Sequence, residues 1–235
     1  MSDGPRFTLE QGRRVADALF ERWGLSGLRE GGVPECVVVG SVRRQRPDIG
    51  DLEIIAPVPD GLPDSPTPAD DPLFRRINAT METPWADERA PLFGPEAVTP
   101  ENPVGRIVKG LRPGFLAASI DVIPWKDAGH PMAGTVLRVE VYRYTKHNRG
   151  WIMLMRTGPS EFGQWFLGRW KKAMGIPVGG DDPASVNGHL VTSSGRVFPV
   201  ETEEDCFRVI GTPPIAPEDR GPFMERMRAS REALR

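Results

Sequence analysis

The sequence predicts an α+β protein, in which a mixed β-sheet with helices is followed by a smaller α/β region. Three observations support this prediction. An amphipathic pattern of helical period opens the chain, short apolar runs of strand character follow it, and helical and strand patterns alternate again in the last third. We therefore expect two domains, one over residues 1–148 and one over residues 149–235.

The composition is typical of a globular protein, with 39% hydrophobic and 26% charged residues in a chain of 235. No apolar run approaches the roughly 18–20 residues needed to span a bilayer, and Met1–Arg6 lacks the apolar core of a signal peptide. We expect a monomeric, cytoplasmic protein that does not bind membranes. Because the net charge is only -2, any contact with nucleic acid must come from local basic clusters.

A capping box opens the first helix, where the Thr8 hydroxyl and the Gln11 side chain satisfy free backbone amides. Apolar residues then recur at helical spacing to about Leu25. Further predicted elements are strands at 36–39, 52–56, 115–124, 136–144 and 150–156, and helices at 161–174, from 202 onward and at 223–234. The strands at 115–124 and 136–144 could pair as an antiparallel hairpin. Cys36 and Cys206, each in an apolar stretch, are expected to be reduced core thiols.

A phosphate-binding turn is predicted directly after the strand at 36–39. Gly40 and Ser41 can leave backbone amides and a hydroxyl available for phosphate oxygens, and Arg44 can add a charge-assisted contact. On the following strand, Asp51 and Glu53 point to the same side because the strand period is two. Two carboxylates on one face suit Mg²⁺, which prefers hard oxygen ligands alongside substrate phosphates.

These residues resemble the palm motif of DNA polymerase family X, the DNA polymerase beta-like nucleotidyltransferases. The family pattern is GS-x-RR, a short spacer and GD-h-D/E-hh, and this chain has it over residues 40–44 and 49–55. The stretch at 155–162, with Thr157-Gly158, is similar to the family's TGS-x-x-F segment, where the thumb meets the nucleotide. The stretches at 200–207 and 215–220 resemble the end of the family's thumb. The resemblance implies a palm followed by a thumb. No segment of the sequence resembles the family's lyase or fingers domains, so we expect a minimal form without them.

The resemblance also implies a third carboxylate, for which two residues compete. Asp121 and Glu140 each lie in a strand similar to the family's R-h-D-h strand, and the one at Glu140 keeps the arginine as Arg138. The interval from Glu140 to Thr157 matches the family's, whereas Asp121 would require a large insertion. We favour Glu140, although the family usually has aspartate there and glutamate is one methylene longer.

By resemblance, the expected reaction is transfer of a nucleotide from a nucleoside triphosphate to a 3′-hydroxyl of a DNA primer–template, as in gap filling. Ser41, Arg44, Thr157 and Gly158 would contact the nucleotide. Asp51, Glu53 and Glu140 would bind two Mg²⁺ ions, with Mn²⁺ as a possible substitute. Two alternatives stay open, namely template-independent transfer to RNA or another acceptor, and a non-catalytic nucleic-acid-binding relative.

Basic residues interleaved with aromatic ones follow the TG segment. Arg169, Lys171 and Lys172, with Trp165 nearby, could contact a nucleic-acid backbone, and Arg138 could do the same or orient Glu140. An equally good interpretation of this segment is a helix whose charged side chains are merely solvated.

Overall fold

The computed structural model describes residues 6–25, 29–30, 33–58, 71–73, 75–77, 105–109, 116–122, 135–178 and 183–233. The chain has mixed α+β structure, as the sequence predicts. It divides into two compact units, one formed by residues 1–42 and 46–143 and the other by residues 43–45 and 144–235.

The first unit is built on a five-stranded sheet. Its described elements include the helix α1 (Leu9–Arg22) and the single turn α2 (Gly40–Arg43), whose last residue is grouped with the second unit. Its described strands are β1 (Phe7–Thr8), β2 (Arg29–Glu30), β3 (Val33–Pro34), β4 (Val37–Val38), β5 (Asp48–Ile49), β6 (Asp51–Pro57), β7 (Gly105–Lys109), β8 (Leu116–Val122) and β9 (Leu137–Tyr144). The sheet has the strand order β4-β6-β9-β8-β7, while β1 pairs with β5 and β2 with β3. Strand β6 therefore lies between β4 and β9.

One face of the sheet is buried against α1. The core that they form contains alternate residues of two neighbouring strands, namely Leu52, Ile54 and Ala56 of β6 and Leu137, Val139 and Val141 of β9. Val15, Ala16 and Leu19 of α1 belong to the same core. Because successive side chains of a strand point to opposite faces, the residues between these positions lie on the other face of the sheet.

The predicted capping box at the start of α1 is confirmed. The Thr8 hydroxyl accepts a hydrogen bond from the Gln11 amide at 3.2 Å, and the Gln11 side chain accepts one from the Thr8 amide at 2.8 Å. A cap of this kind stabilises a helix by about 1 kcal/mol. The helix ends at Arg22, slightly before the predicted Leu25.

The predicted hairpin of the two central strands is also confirmed. Strands β8 and β9 are antiparallel, with Ser119 opposite Glu140 and Asp121 opposite Arg138. Strand β7 and the β1–β5 pair were not predicted, since two-residue strands and a five-residue strand without clear alternation give little periodic signal.

The second unit contains four α-helices and a small sheet within its described part. The helices are α3 (Arg149–Thr157), α4 (Ser160–Ala173), α5 (Glu203–Val209) and α6 (Arg220–Glu232), and the strands are β10 (Ser185–Val186) and β11 (His189–Leu190). Aromatic side chains fill its core: the rings of Trp151 and Phe166 stack at 5.3 Å, and Trp170 donates its Nε1 hydrogen bond to the Val191 carbonyl at 2.8 Å. The helices predicted at 161–174, from 202 onward and at 223–234 correspond to α4, α5 and α6.

The strand predicted at 150–156 is wrong, because these residues form α3. Gly150, Leu154 and Thr157 are all buried, and their spacing of four and three residues places them on one face of a helix. The apolar run here has five residues, 151–155, and so short a run is compatible with both a buried strand and a buried helix.

No helix within the described ranges combines the length and the apolar character that crossing a bilayer requires.

Gly150 should tolerate no side chain. A Cβ atom there would clash with the Thr202 carbonyl and lie 2.9 Å from the Thr202 nitrogen. We expect Gly150→Ala to lower the free energy of unfolding by roughly 2 kcal/mol, the typical cost of overpacking, as measured by urea denaturation. The matched control is Gly163→Ala in α4, where a Cβ would meet no atom within 4 Å. That change should raise stability by up to about 1 kcal/mol, and equal effects of the two substitutions would contradict the packing described.

Candidate functional site

The polar face of the sheet carries the predicted carboxylates. Asp51 is exposed and Glu53 is partly buried, and both alternate with core residues of β6. Glu140 alternates in the same way on β9 and is also partly buried. Since β6 and β9 are neighbours and share one core on the opposite face, all three carboxylates lie on the same face of two adjacent strands.

The turn that precedes this strand packs directly against it. The Val39 amide donates a hydrogen bond to the Glu53 carbonyl at 2.8 Å, which continues the β4–β6 pairing by one residue. Gly40 follows with a φ of +63°, and a Cβ atom there would clash with Glu53 Oε2 and lie 3.2 Å from its Cδ. The left-handed backbone favours glycine at position 40, and the Glu53 carboxylate lies close to this glycine.

Ser41 lies in the single turn α2, at the point where the sequence predicts phosphate contacts. Its carbonyl accepts a hydrogen bond from the Arg46 amide at 3.0 Å, which closes the turn. The closed turn begins at Gly40, which lies against Glu53 of β6. Ser41 is therefore near the strand that carries Asp51 and Glu53.

Strand order separates the two candidates for the third carboxylate. Glu140 is on β9, which is adjacent to β6, whereas Asp121 is on β8, which has β9 between itself and β6. Adjacent strands lie about 4.8 Å apart, and the next strand is about twice as far. The sheet therefore brings Glu140 closer than Asp121 to the strand of Asp51 and Glu53.

Glu140 is held by a residue that sequence analysis did not identify. The Tyr142 hydroxyl donates a hydrogen bond to Glu140 Oε2, and Tyr142 itself is 4% exposed. The two residues are two apart on β9, so they share a face. That spacing is visible in the sequence and was the available signal for this contact.

The carboxylates are not gathered around a single point. Within the described ranges, no group of three His, Cys, Asp or Glu side chains is placed to hold a metal ion. The donor chemistry of Asp51, Glu53 and Glu140 nevertheless fits Mg²⁺ or Mn²⁺, since these ions prefer carboxylate oxygens. These three residues therefore suit such a metal ion in their chemical type and in their position on one face of the sheet.

The two arginines of the GS-x-RR motif belong to the second unit and contact the TG segment. Arg43 donates to the Thr157 hydroxyl at 2.8 Å, and Arg44 donates to the Thr157 carbonyl at 2.6 Å. Arg43 also forms an ion pair with Glu203 at 2.5 Å, and Glu203 in turn binds Arg220 at 3.0 Å. Glu203 and Arg220 are 7% and 1% exposed, so this is a largely desolvated cluster, and burial lowers the pKa of the Arg220 guanidinium.

This cluster connects the segments of the second unit that carry the resemblance to the polymerase family. Arg43 and Arg44 come from the GS-x-RR motif, Thr157 from the TG segment, and Glu203 and Arg220 from the two stretches that resemble a thumb ending. Sequence analysis identified the segments but not the buried position of Glu203. The Gly158 amide donates a hydrogen bond to the Leu154 carbonyl at 3.1 Å and so ends α3. A nucleotide contact at Thr157 and Gly158 stays a prediction.

The predicted basic residues of α4 are at the surface. Arg169 and Lys172 are exposed, Lys171 is partly buried, and Trp170 between them is fully buried in the core. Arg138 is partly buried on the polar face of β9. A role of these cations in nucleic-acid binding stays a prediction.

Both cysteines are buried and free, as expected. Burial raises the pKa of the Cys36 thiol to about 11 and raises that of Cys206 further. At neutral pH both are therefore thiols, and neither is activated as a nucleophile.

In comparisons with known proteins, no protein-family model matches the chain, and no curated protein matches it closely enough to count as a relative.

Removing the charge of Glu203 should destabilise the second unit. Glu203→Gln would leave Arg43 and the buried Arg220 without their shared carboxylate, and breaking a buried ion pair costs roughly 3 kcal/mol or more. The neighbouring Glu204 is exposed, so Glu204→Gln is the matched control and should change the free energy of unfolding by less than about 0.5 kcal/mol. Chemical denaturation measures both. If Glu203→Gln lowered the free energy of unfolding no more than the control does, the charge of Glu203 would contribute nothing to stability.

Proposed function

We propose that the chain is a metal-dependent nucleotidyltransferase that adds nucleotides to a 3′-hydroxyl of DNA, with the polar face of β6 and β9 as its catalytic surface and the first unit as its palm. One observation carries the proposal: Asp51, Glu53 and Glu140, chosen from sequence spacing, share one face of two adjacent strands, and Gly40 packs against Glu53. The buried cluster of Arg43, Thr157, Glu203 and Arg220 supports the same interpretation, since separate segments of the resemblance contact one another.

In the reaction proposed, the primer 3′-oxygen attacks the α-phosphorus of the nucleoside triphosphate. A new phosphorus–oxygen bond forms, the bond to the β-phosphate breaks, and pyrophosphate leaves. Bound Mg²⁺ would supply Lewis-acid stabilisation of the charge on the phosphate oxygens. Asp51, Glu53 and Glu140 would hold it.

The residues of the chain have separate tasks in this reaction. The Ser41 hydroxyl would orient the triphosphate at the turn that Gly40 holds against Glu53. Glu140 would accept the proton of the attacking hydroxyl. Tyr142, whose hydroxyl donates to Glu140, would fix the orientation of that carboxylate while it is ionised, because a carboxylate is the better acceptor.

A non-catalytic nucleic-acid-binding protein is the second candidate. It is favoured by one specific observation, that the three carboxylates are not gathered into a ligand group within the described ranges. Binding of DNA without any turnover in Mg²⁺ or Mn²⁺ would support this candidate over the first.

Asp51→Asn should abolish nucleotide incorporation. Loss of outer-shell partners of a metal already costs about ten- to a hundredfold, so loss of a direct ligand should lower the rate by more than about a hundredfold. The assay is extension of a labelled primer on gapped duplex DNA, single-stranded DNA and RNA, each with Mg²⁺ and with Mn²⁺. Extension on the gapped duplex alone supports templated synthesis, and labelling without a template supports template-independent transfer.

The matched control for Asp51→Asn is Asp17→Asn, which removes an exposed carboxylate of α1. It should leave incorporation unchanged. If the Asp51 variant kept more than about a tenth of the wild-type rate while its unfolding curve was unchanged, the proposed site would be wrong.

Glu140→Gln and Asp121→Asn distinguish the two candidates for the third carboxylate. Because β9 is adjacent to β6 and β8 is not, we expect Glu140→Gln to lower the incorporation rate by more than about a hundredfold and Asp121→Asn to lower it by less than about threefold. The same primer-extension assay measures both. The reverse order of effects would move the third carboxylate to β8.

A further inference from the structure

A groove in the second unit has no role in the proposed reaction. It is lined by residues of α4 and α6, together with Val178, and has a volume of about 610 Å³. Trp165, Met224, Met227 and Val178 supply its apolar lining, and Val178 is 73% exposed. Methionine side chains are flexible and polarisable, so a lining of this kind adapts to the apolar side chains of a partner.

The charged residues of the groove are unequally divided. Four exposed cations line it, namely Arg169, Lys172, Arg228 and Arg231. Glu161 is the one acidic residue of this lining, and it is bound by Arg228 at 2.7 and 2.8 Å. Positive charge is therefore in excess, so the groove favours an occupant that carries negative charge.

The aromatic contacts favour a protein over a nucleic acid. Single-stranded nucleic acids bind through bases that stack on available aromatic rings. Trp165, the aromatic residue of the groove lining, already packs against Phe162 at 5.2 Å and against the edge-on ring of Phe223 at 4.9 Å. The remaining apolar lining is aliphatic, which suits leucine-like side chains better than planar bases.

The groove also has room for a close approach. A Cβ atom added to Gly168, which lines the groove, would meet no atom within 4 Å. Helix α6 has 13 residues and is about 20 Å long at 1.5 Å per residue. An apolar stripe at positions i, i+3 or i+4, and i+7 is about 10 Å long, so it fits alongside α6.

We propose that this groove binds an acidic amphipathic helix of a partner protein. Apolar side chains of that helix pack on Trp165, Met224 and Met227, and its flanking carboxylates pair with Arg169, Lys172 and Arg231. The inference does not depend on nucleotidyl transfer, since it uses only the contacts of α4 and α6.

The test is selection from a displayed library of random 16-residue peptides on the full chain, with counter-selection on Gly168→Leu. A leucine at position 168 fills the groove, and the open space there lets it do so without displacing the fold. Gly221→Leu in α6 is the matched control, because a Cβ at this position also meets no atom within 4 Å and Gly221 does not line the groove. Unfolding curves of both variants check that they fold.

We expect the selected peptides to be rich in glutamate and aspartate, with apolar residues at helical spacing. In fluorescence anisotropy, Gly168→Leu and Arg231→Glu should each weaken their binding at least about tenfold, and Gly221→Leu should not. A labelled single-stranded oligonucleotide is measured beside them. If no peptide depends on Gly168, if the selected peptides are basic, or if only the oligonucleotide loses affinity in Gly168→Leu, the proposal is overturned.

Discussion

The candidate site depends on the pleat of β6. Leu52, Ile54 and Ala56 are buried in the core that α1 covers, so Asp51 and Glu53 are forced to the opposite face. A shift of one residue in register would bury both carboxylates and expose the apolar residues. The hydrophobic core therefore sets the position of the acidic residues, and β9 adds Glu140 to the same face by the same alternation.

In the second unit, the corresponding constraint is the buried carboxylate of Glu203. This carboxylate forms ion pairs with Arg220, which is 1% exposed, and with Arg43. An arginine buried without a partner would be strongly unfavourable, so these contacts also hold the arginine turn and the Thr157 segment in place. The residues that resemble nucleotide-binding motifs are thus supported by structural contacts that do not themselves require a nucleotide.

The sequence predicted those features that rest on local patterns. The capping box at Thr8, the hairpin of β8 and β9, and the shared side of Asp51 and Glu53 follow from spacing alone. It did not predict α3, because a short apolar run fits both types of element. Nor did it predict the Tyr142–Glu140 contact or the buried Glu203, since pairing across a fold depends on which segments meet. The groove of α4 and α6 could not be predicted for the same reason, because its basic residues come from two helices that are far apart in the sequence.

The central claim is that Asp51, Glu53 and Glu140 form one metal-binding surface for a nucleoside triphosphate. The most direct measurement is anomalous diffraction from crystals of the full chain grown with Mn²⁺ and a non-hydrolysable deoxynucleoside triphosphate. The account predicts manganese peaks bound by oxygens of these three carboxylates, with the triphosphate at Ser41. An ordered nucleotide elsewhere, or manganese bound without Asp51 and Glu53, would contradict it.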